Sequence, residues 1–233
     1  MHKLKLFLIP VWIASCAPAT QFVVPEYIGK KLKAEKLILC VNRDRIIINN
    51  PDDVADDLGS GSDVEVFYGF FDTTVARAVP IFSNFKSAEL KPYPEKDRMQ
   101  TSTFALGSKA GQINVHLPRQ DKPLDLGGVT PTFILFIDLM QIRRDAGSPG
   151  MMFMGPKGSS TMSGGRAASL IANVNYVLWD NRAGKVMAYG KTEVSTAFFL
   201  AMTRGTWKSN AEDIIRSILQ KSPFQKEITA TGY

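Results

Sequence analysis

Two runs, 170–179 and 185–196, constrain this chain more than any other feature, because only five residues, Asp180-Asn181-Arg182-Ala183-Gly184, separate them. Strand-like runs joined this closely fold back on each other as an antiparallel hairpin. In the first run Val174, Tyr176 and Leu178 fall on one face, with Asn173, Asn175 and Val177 on the other. That period of two marks a strand. The run 132–143 is the candidate central strand, apolar through 133–137 and alternating after that. Runs 37–41, 45–48 and 82–90 read as further strands, and 100–106 with 112–117 as a second hairpin across 107–111. Segment 92–98 reads as a polar loop.

Two stretches carry helical signals. Ser62-Asp63-Val64-Glu65 has the spacing of a capping box. It predicts a helix with Val64, Phe67, Phe71, Val75 and Ala78 on one face, ended by Pro80, the alternative being a strand over 66–71. A second capping box, Ser209-Asn210-Ala211-Glu212, predicts a C-terminal helix stopped by Pro223. Its stripe is Ala211, Ile214, Ile215, Ile218 and Leu219, with Trp207 packed beneath the first turn. With 233 residues, 45% hydrophobic and 21% charged, the chain can build a real core. The expected fold is α+β: a mostly antiparallel sheet covered by two main helices, a single domain over 37–222 with a tail over 223–233.

The N-terminus carries the clearest functional signal. Lys3 and Lys5 precede an apolar run over 6–14, the pattern of a secretory signal peptide and too short for a membrane span. The next residues complete Ile13-Ala14-Ser15-Cys16, which resembles the lipobox of bacterial lipoproteins. The resemblance implies removal of 1–15, a diacylglyceryl thioether on Cys16 and acylation of the new amino group. Residues 16–36 then form a lipidated tether. Several acyl chains hold a protein firmly where one gives only marginal binding. Ala17, in place of the Asp that retains such proteins at the inner membrane, implies the outer membrane, with the domain facing the periplasm. Cys40 is left as the one free thiol, expected to be buried and inert. Lys30, Lys31, Lys33 and Lys36 read as a solvated start to the domain, with contact to anionic lipid heads as the sharper alternative.

Several chemistries are excluded by count or spacing. Two histidines, His2 and His116, and two cysteines cannot supply close-spaced zinc ligands. His116 has no acid at fixed spacing and reads as a strand-surface residue. Ser83-Asn84-Phe85-Lys86 matches Ser-x-x-Lys, but the companion motifs of penicillin-binding enzymes are missing. Asp52/Asp56 and Asp53/Asp57 could hold a divalent cation and read instead as a solvated acidic face. A net charge of +6 without clustered Lys/Arg and aromatics argues against nucleic acid. No catalytic residue is assigned, and the chain is read as no enzyme.

The segment 146–169 is the most unusual, with six glycines and four of the nine methionines. Gly150-x-x-x-x-Gly155 with Lys157 resembles a P-loop, but Pro156 intrudes and no Ser/Thr follows the Lys. Met151, Met152, Phe153 and Met154 are the candidate partner-docking residues, because Met on a flexible frame adapts to irregular apolar surfaces. Met151, Met152, Met154 and Met162 could instead offer thioethers to Cu(I). A loop that simply buries its methionines on its own sheet is the third alternative. The order of strands and helices is similar to small envelope-assembly lipoproteins with curli-secretion-lipoprotein-like or TolB-amino-terminal-like domains. That likeness of layout carries no motif residues. It implies a lipid-anchored, non-enzymatic interaction or assembly subunit, with no cofactor beyond the lipid on Cys16. Its partners would be the membrane and other envelope proteins, and homo-oligomerisation is left open. The alternative is a periplasmic ligand-binding module for Cu(I) or an apolar molecule.

Overall fold

A computed structural model describes residues 20–49, 52–59, 63–107, 111–119, 123–147, 152–154, 160–162, 167–198 and 201–226. The strands are β1 (Gln21–Val23), β2 (Ala34–Val41), β3 (Ile46–Ile48), β4 (Phe85–Lys91), β5 (Met99–Ala105), β6 (Gln112–Pro118), β7 (Phe133–Asp145), β8 (Met152–Met154), β9 (Ser160–Met162), β10 (Ala168–Asp180) and β11 (Lys185–Phe198). The helices are α1 (Asp52–Leu58), α2 (Asp63–Phe82) and α3 (Arg204–Leu219).

The fold is α+β, and its seven-stranded sheet has the order β1-β11-β10-β7-β2-β4, with β3 also on β7. The hairpin that opened the sequence argument is β10–β11, and β7 lies beside it as the central strand. The sheet is mixed, which corrects the mostly antiparallel expectation. β1, β11, β10 and β7 pair antiparallel, whereas β2 runs parallel to both β4 and β7. The reason lies in the connection. Helices α1 and α2 carry the chain back across one face between β2 and β4, and a crossover of that length returns a strand parallel.

The period of two sorts each strand's side chains between two cores. Leu37 and Leu39 of β2, Leu135 and Ile137 of β7, and Tyr176 and Leu178 of β10 face the helices. Ile38, Cys40, Ile134, Phe136, Val177 and Trp179 face the other way, beneath the β5–β6 hairpin. Cys40 is buried as expected. Helix α2 presents Phe67, Phe71, Val75 and Ala78 to the first core, while Val64, expected on that face, is exposed. The Ser62 end of its capping box lies outside the described residues. Pro80 sits inside the last turn without ending the helix, which runs on to Phe82.

Helix α3 starts earlier than the Ser209 box implies. Thr203 is the N-cap: its hydroxyl accepts from the Thr206 amide, and the Thr206 hydroxyl accepts from the Thr203 amide. Trp207 therefore lies within the helix, buried and edge-on to Phe67 at 5.8 Å. Both domain edges also move outward. The expected tether already joins the sheet through β1, and Tyr27 is buried. In the expected tail, Phe224 is fully buried, stacked 4.1 Å from Phe85. The segment expected to be an irregular loop contains the antiparallel pair β8–β9, with Met152 opposite Met162.

Candidate functional site

Along β7, strands β2 and β3 behave as one strand with an interruption. Ile38 to Val41 pair with Ile134 to Ile137, and Ile46 to Ile48 with Met140 to Ile142. Between them Asn42 and a 3₁₀ turn, Arg43–Arg45, bow outward. At the same level β7 carries a bulge. Leu139 pairs with Asn175 and Ile137 with Tyr176, so Asp138 has no partner of its own on β10. A bulge re-aims a side chain, and here it aims an acid.

Asp138 is completely buried. A carboxylate in that position is costly unless hydrogen-bonded and paired. Three segments supply the partners. Tyr93, from the segment after β4, donates its hydroxyl to Oδ1 at 2.7 Å. His116 of β6 places Nδ1 2.8 Å from the same oxygen. Arg45 of the 3₁₀ turn makes a close ion pair with Oδ2 through Nη1. Asn42 Nδ2 stands 3.5 Å from Oδ1. His116 Nδ1 also stands 3.2 Å from Arg45 Nη1, so the imidazole edge sits between the acid and the guanidinium. Burial first, then the Asp138 charge, pushes the Tyr93 phenol well above its ordinary value, which keeps it a neutral donor. Its ring stands edge-on to Phe136 at 5.8 Å.

These residues edge a cleft of about 790 Å³. It opens at the carboxyl ends of β2 and β4, where Val41 and Lys91 contribute to its wall. In sheets with parallel strands, that is where ligands tend to bind. Its lining combines apolar Leu90, Pro94 and Met99 with Tyr93, the donors Arg43, Arg45 and His116, and the acids Asp44, Asp72 and Glu95. Arg43 pairs with Asp72 at 2.7 Å. Burial raises the Asp72 carboxyl above its usual value, with Arg43 pulling the other way. The Asp138 cluster joins four segments into one rigid rim, and the cleft offers guanidinium and imidazole donors together with apolar side chains. That combination suits binding in a preformed pocket.

Sequence spacing does not reveal this cluster. His116 lies on a strand as expected, but it is partly buried against Asp138 rather than on the surface without an acid. The overlooked signal is Asp138 itself, a lone carboxylate inside the apolar stretch of the central strand. The other candidates scatter. Cys16 and Met151 lie outside the described residues. Met152 and Met154, with Phe153 between them, belong to β8 and Met162 to β9, beyond the end of β7 at Asp145. Ser83 donates its hydroxyl to the Val79 carbonyl, while Lys86 pairs with Glu35, so the Ser-x-x-Lys pair shares no site. Asp57 meets Arg144 at 2.6 Å and accepts from the Trp207 indole at 3.0 Å. Among the described residues, no group of three or more His, Cys, Asp or Glu side chains is placed to hold a metal ion.

No protein-family profile and no curated sequence matches the chain. Among solved structures it is similar to the PelC dodecamer of Paraburkholderia phytofirmans, with 12% identity, a TM-score of 0.35, and coverage of 90% of this chain and 100% of that one. A point variant of that PelC dodecamer gives 7% identity, a TM-score of 0.33, and coverage of 87% and 96%. A neuraminyllactose-binding hemagglutinin homologue from Helicobacter pylori gives 8%, 0.36, and coverage of 83% and 86%. Scores this low leave function to be read from the chain's own residues.

Proposed function

We propose that this chain is a lipid-anchored protein of the cell envelope, held at the outer membrane with its domain facing the periplasm. It acts as a non-enzymatic interaction or assembly subunit. The supporting observation is the distance between the lipobox cysteine and the fold. β1 begins at Gln21 and is paired with β11, so only a few residues separate the folded edge from Cys16. Four residues span at most about 14 Å. A lipid on Cys16 would keep the domain against the bilayer, within reach of other envelope proteins or further copies of itself. The test is to purify the chain from membranes with its partners cross-linked, beside the Cys16→Ala variant. Lipid on Cys16 by mass spectrometry and partners recovered only with the anchored form are expected. An unacylated Cys16 overturns the anchor. Changing Met151, Met152, Phe153 and Met154 together to Ser should lower partner recovery while sparing the melting temperature, if that segment docks.

A second reading is favoured by the cleft beside Asp138. Its volume of about 790 Å³ falls within the roughly 300–1,000 Å³ of small-molecule sites. In this reading the protein is a ligand-binding module whose apolar ligand lies against Leu90, Tyr93 and Met99. The Cu(I) alternative calls for metal at the β8–β9 hairpin instead, and metal analysis of the purified chain separates the two.

A further inference from the structure

We infer that the groove between the segment after β1 and the end of α3 is the face this domain lays on an anionic phospholipid bilayer. The inference rests on the lipid-anchor reading. It begins with where the chain enters the fold. β1 is an edge strand, and its approach to β11 depends on Gly190, where a Cβ would stand 2.5 Å from the Thr20 carbonyl oxygen. Gln21 then donates its side-chain amide to Ser217 of α3 at 3.3 Å. The point of entry is thereby fixed beside α3. Lys221 stands just past the end of α3, in the turn that follows Leu219.

Lys221 borders a groove of about 570 Å³ together with Ile28, Lys30 and Lys31. The Leu32 amide donates to the Pro223 carbonyl at 2.8 Å, which ties the two sides of the groove together. Lys30, Lys31 and Lys221 are the charged side chains among its described lining residues. Lys33, just beyond it, is exposed, and Lys226 reaches the Pro80 carbonyl close by. The nearest acid on the same segment, Glu26, is engaged by Lys185 at 3.2 Å. Lys30 stands over the Tyr27 ring at 4.8 Å, which directs the ammonium without neutralising it. In the same lining Ile28 is 67% exposed, the highest value among the exposed large hydrophobics of the described residues. An exposed apolar tip ringed by ammonium groups matches an interface with phosphate headgroups above and acyl chains below. A lipid anchor brings this face to the bilayer, and each lysine near an anionic surface adds about fivefold to the docked population.

The test uses the full chain, lipidated and reconstituted into vesicles, with a fluorophore on an Ile28→Cys variant. Cys40 is buried and Cys16 acylated in this reading, so the label is specific. Vesicles of phosphatidylglycerol and phosphatidylcholine with a headgroup-borne quencher should quench the label strongly. Phosphatidylcholine alone should not, nor should either vesicle quench a label on Ile47→Cys, across the sheet. Changing Lys30 and Lys221 to Gln should reduce the docked fraction by on the order of 25-fold. Equal quenching at positions 28 and 47, or quenching unchanged by the lysine substitutions, overturns the inference. Mass spectrometry of the same sample separates the two failures. An unacylated Cys16 sinks the anchor reading, whereas an acylated chain with position 28 in water sinks only this one.

Discussion

The two faces of the central sheet are closed by different means. On one face α2 and α3 lay continuous apolar stripes over Leu37, Leu39, Leu135 and their neighbours, and the burial is shared among many side chains. On the other face a two-stranded hairpin does the covering, with Met99, Ile113, Val115 and Leu117 packed on Ile38, Phe136 and Trp179. Where that cover ends, the sheet holds a buried carboxylate joined to Tyr93, His116 and Arg45. The helix face can lose one contact and keep the rest. The hairpin face depends at its open end on one charge, which makes it the more fragile face and also the one that carries a shaped cleft.

The largest effect should come from removing the helix cover. A chain ending at Met202 loses Trp207, Ile214, Ile215, Ile218 and Leu219, all buried. At about 1.5–3 kcal/mol each, their burial rivals the whole stability of a domain. Calorimetry should show no cooperative transition, and an unchanged melt would mean that α3 does not cover the core. Next, on the opposite face, Asp138→Ala strands Arg45 beside a half-buried imidazole and should cost about 3–5 kcal/mol by urea titration. A loss below about 1 kcal/mol would make the two faces alike.

Alkaline pH tests both faces at once. Burial raises the Cys40 thiol, on the hairpin side, from 9.0 to about 12. The Tyr27 phenol, on the helix side, rises from 10.0 to about 12, first by burial and then by its hydrogen bond to Asp180. In the unfolded chain each group ionises at its lower, ordinary value. The stability it confers is therefore complete below that value and lost as pH rises through about 12. Melting temperature should begin to fall near pH 9, by up to a few kcal/mol of stability from Cys40. In Cys40→Val the onset should move up toward pH 10, the point at which the phenols of Tyr27, Tyr68, Tyr93 and Tyr176, all raised by burial, take over. An onset that stays at pH 9 in that variant would remove Cys40 from the account.

How much of this was legible in sequence follows the same division. The β10–β11 hairpin, the stripes of α2 and α3 and the burial of Cys40 are set by local period and turn chemistry, and each could be read from a window of residues. Parallel pairing of β2 with β4 and β7 could not, because it is fixed by what lies between the strands. The start of α3 was misplaced because Thr203 and Thr206 cap each other without the Glu or Gln that a capping box usually shows. The Asp138 cluster draws residues from positions 45, 93, 116 and 138, so no spacing rule could have collected them.

A matched pair of hydroxyl deletions gives the finest comparison. Tyr93→Phe keeps the ring against Phe136 and removes only the donor to Asp138. Ser217→Ala, on the helix side, removes only a hydroxyl that bonds Thr192 and Gln21. The first bond ends on a buried charge and should be worth about 1.5–3 kcal/mol; the second joins neutral groups, worth about 0.5–1.5 kcal/mol. Alanine also favours the helix over serine by about 0.5 kcal/mol, which offsets part of the second loss. Tyr93→Phe should therefore lower stability clearly while Ser217→Ala stays within about 1 kcal/mol of the parent in the same urea titration. Equal losses would show that the carboxylate draws no more from Tyr93 than a neutral acceptor would. The cleft rim would then be held by Arg45 and His116 alone.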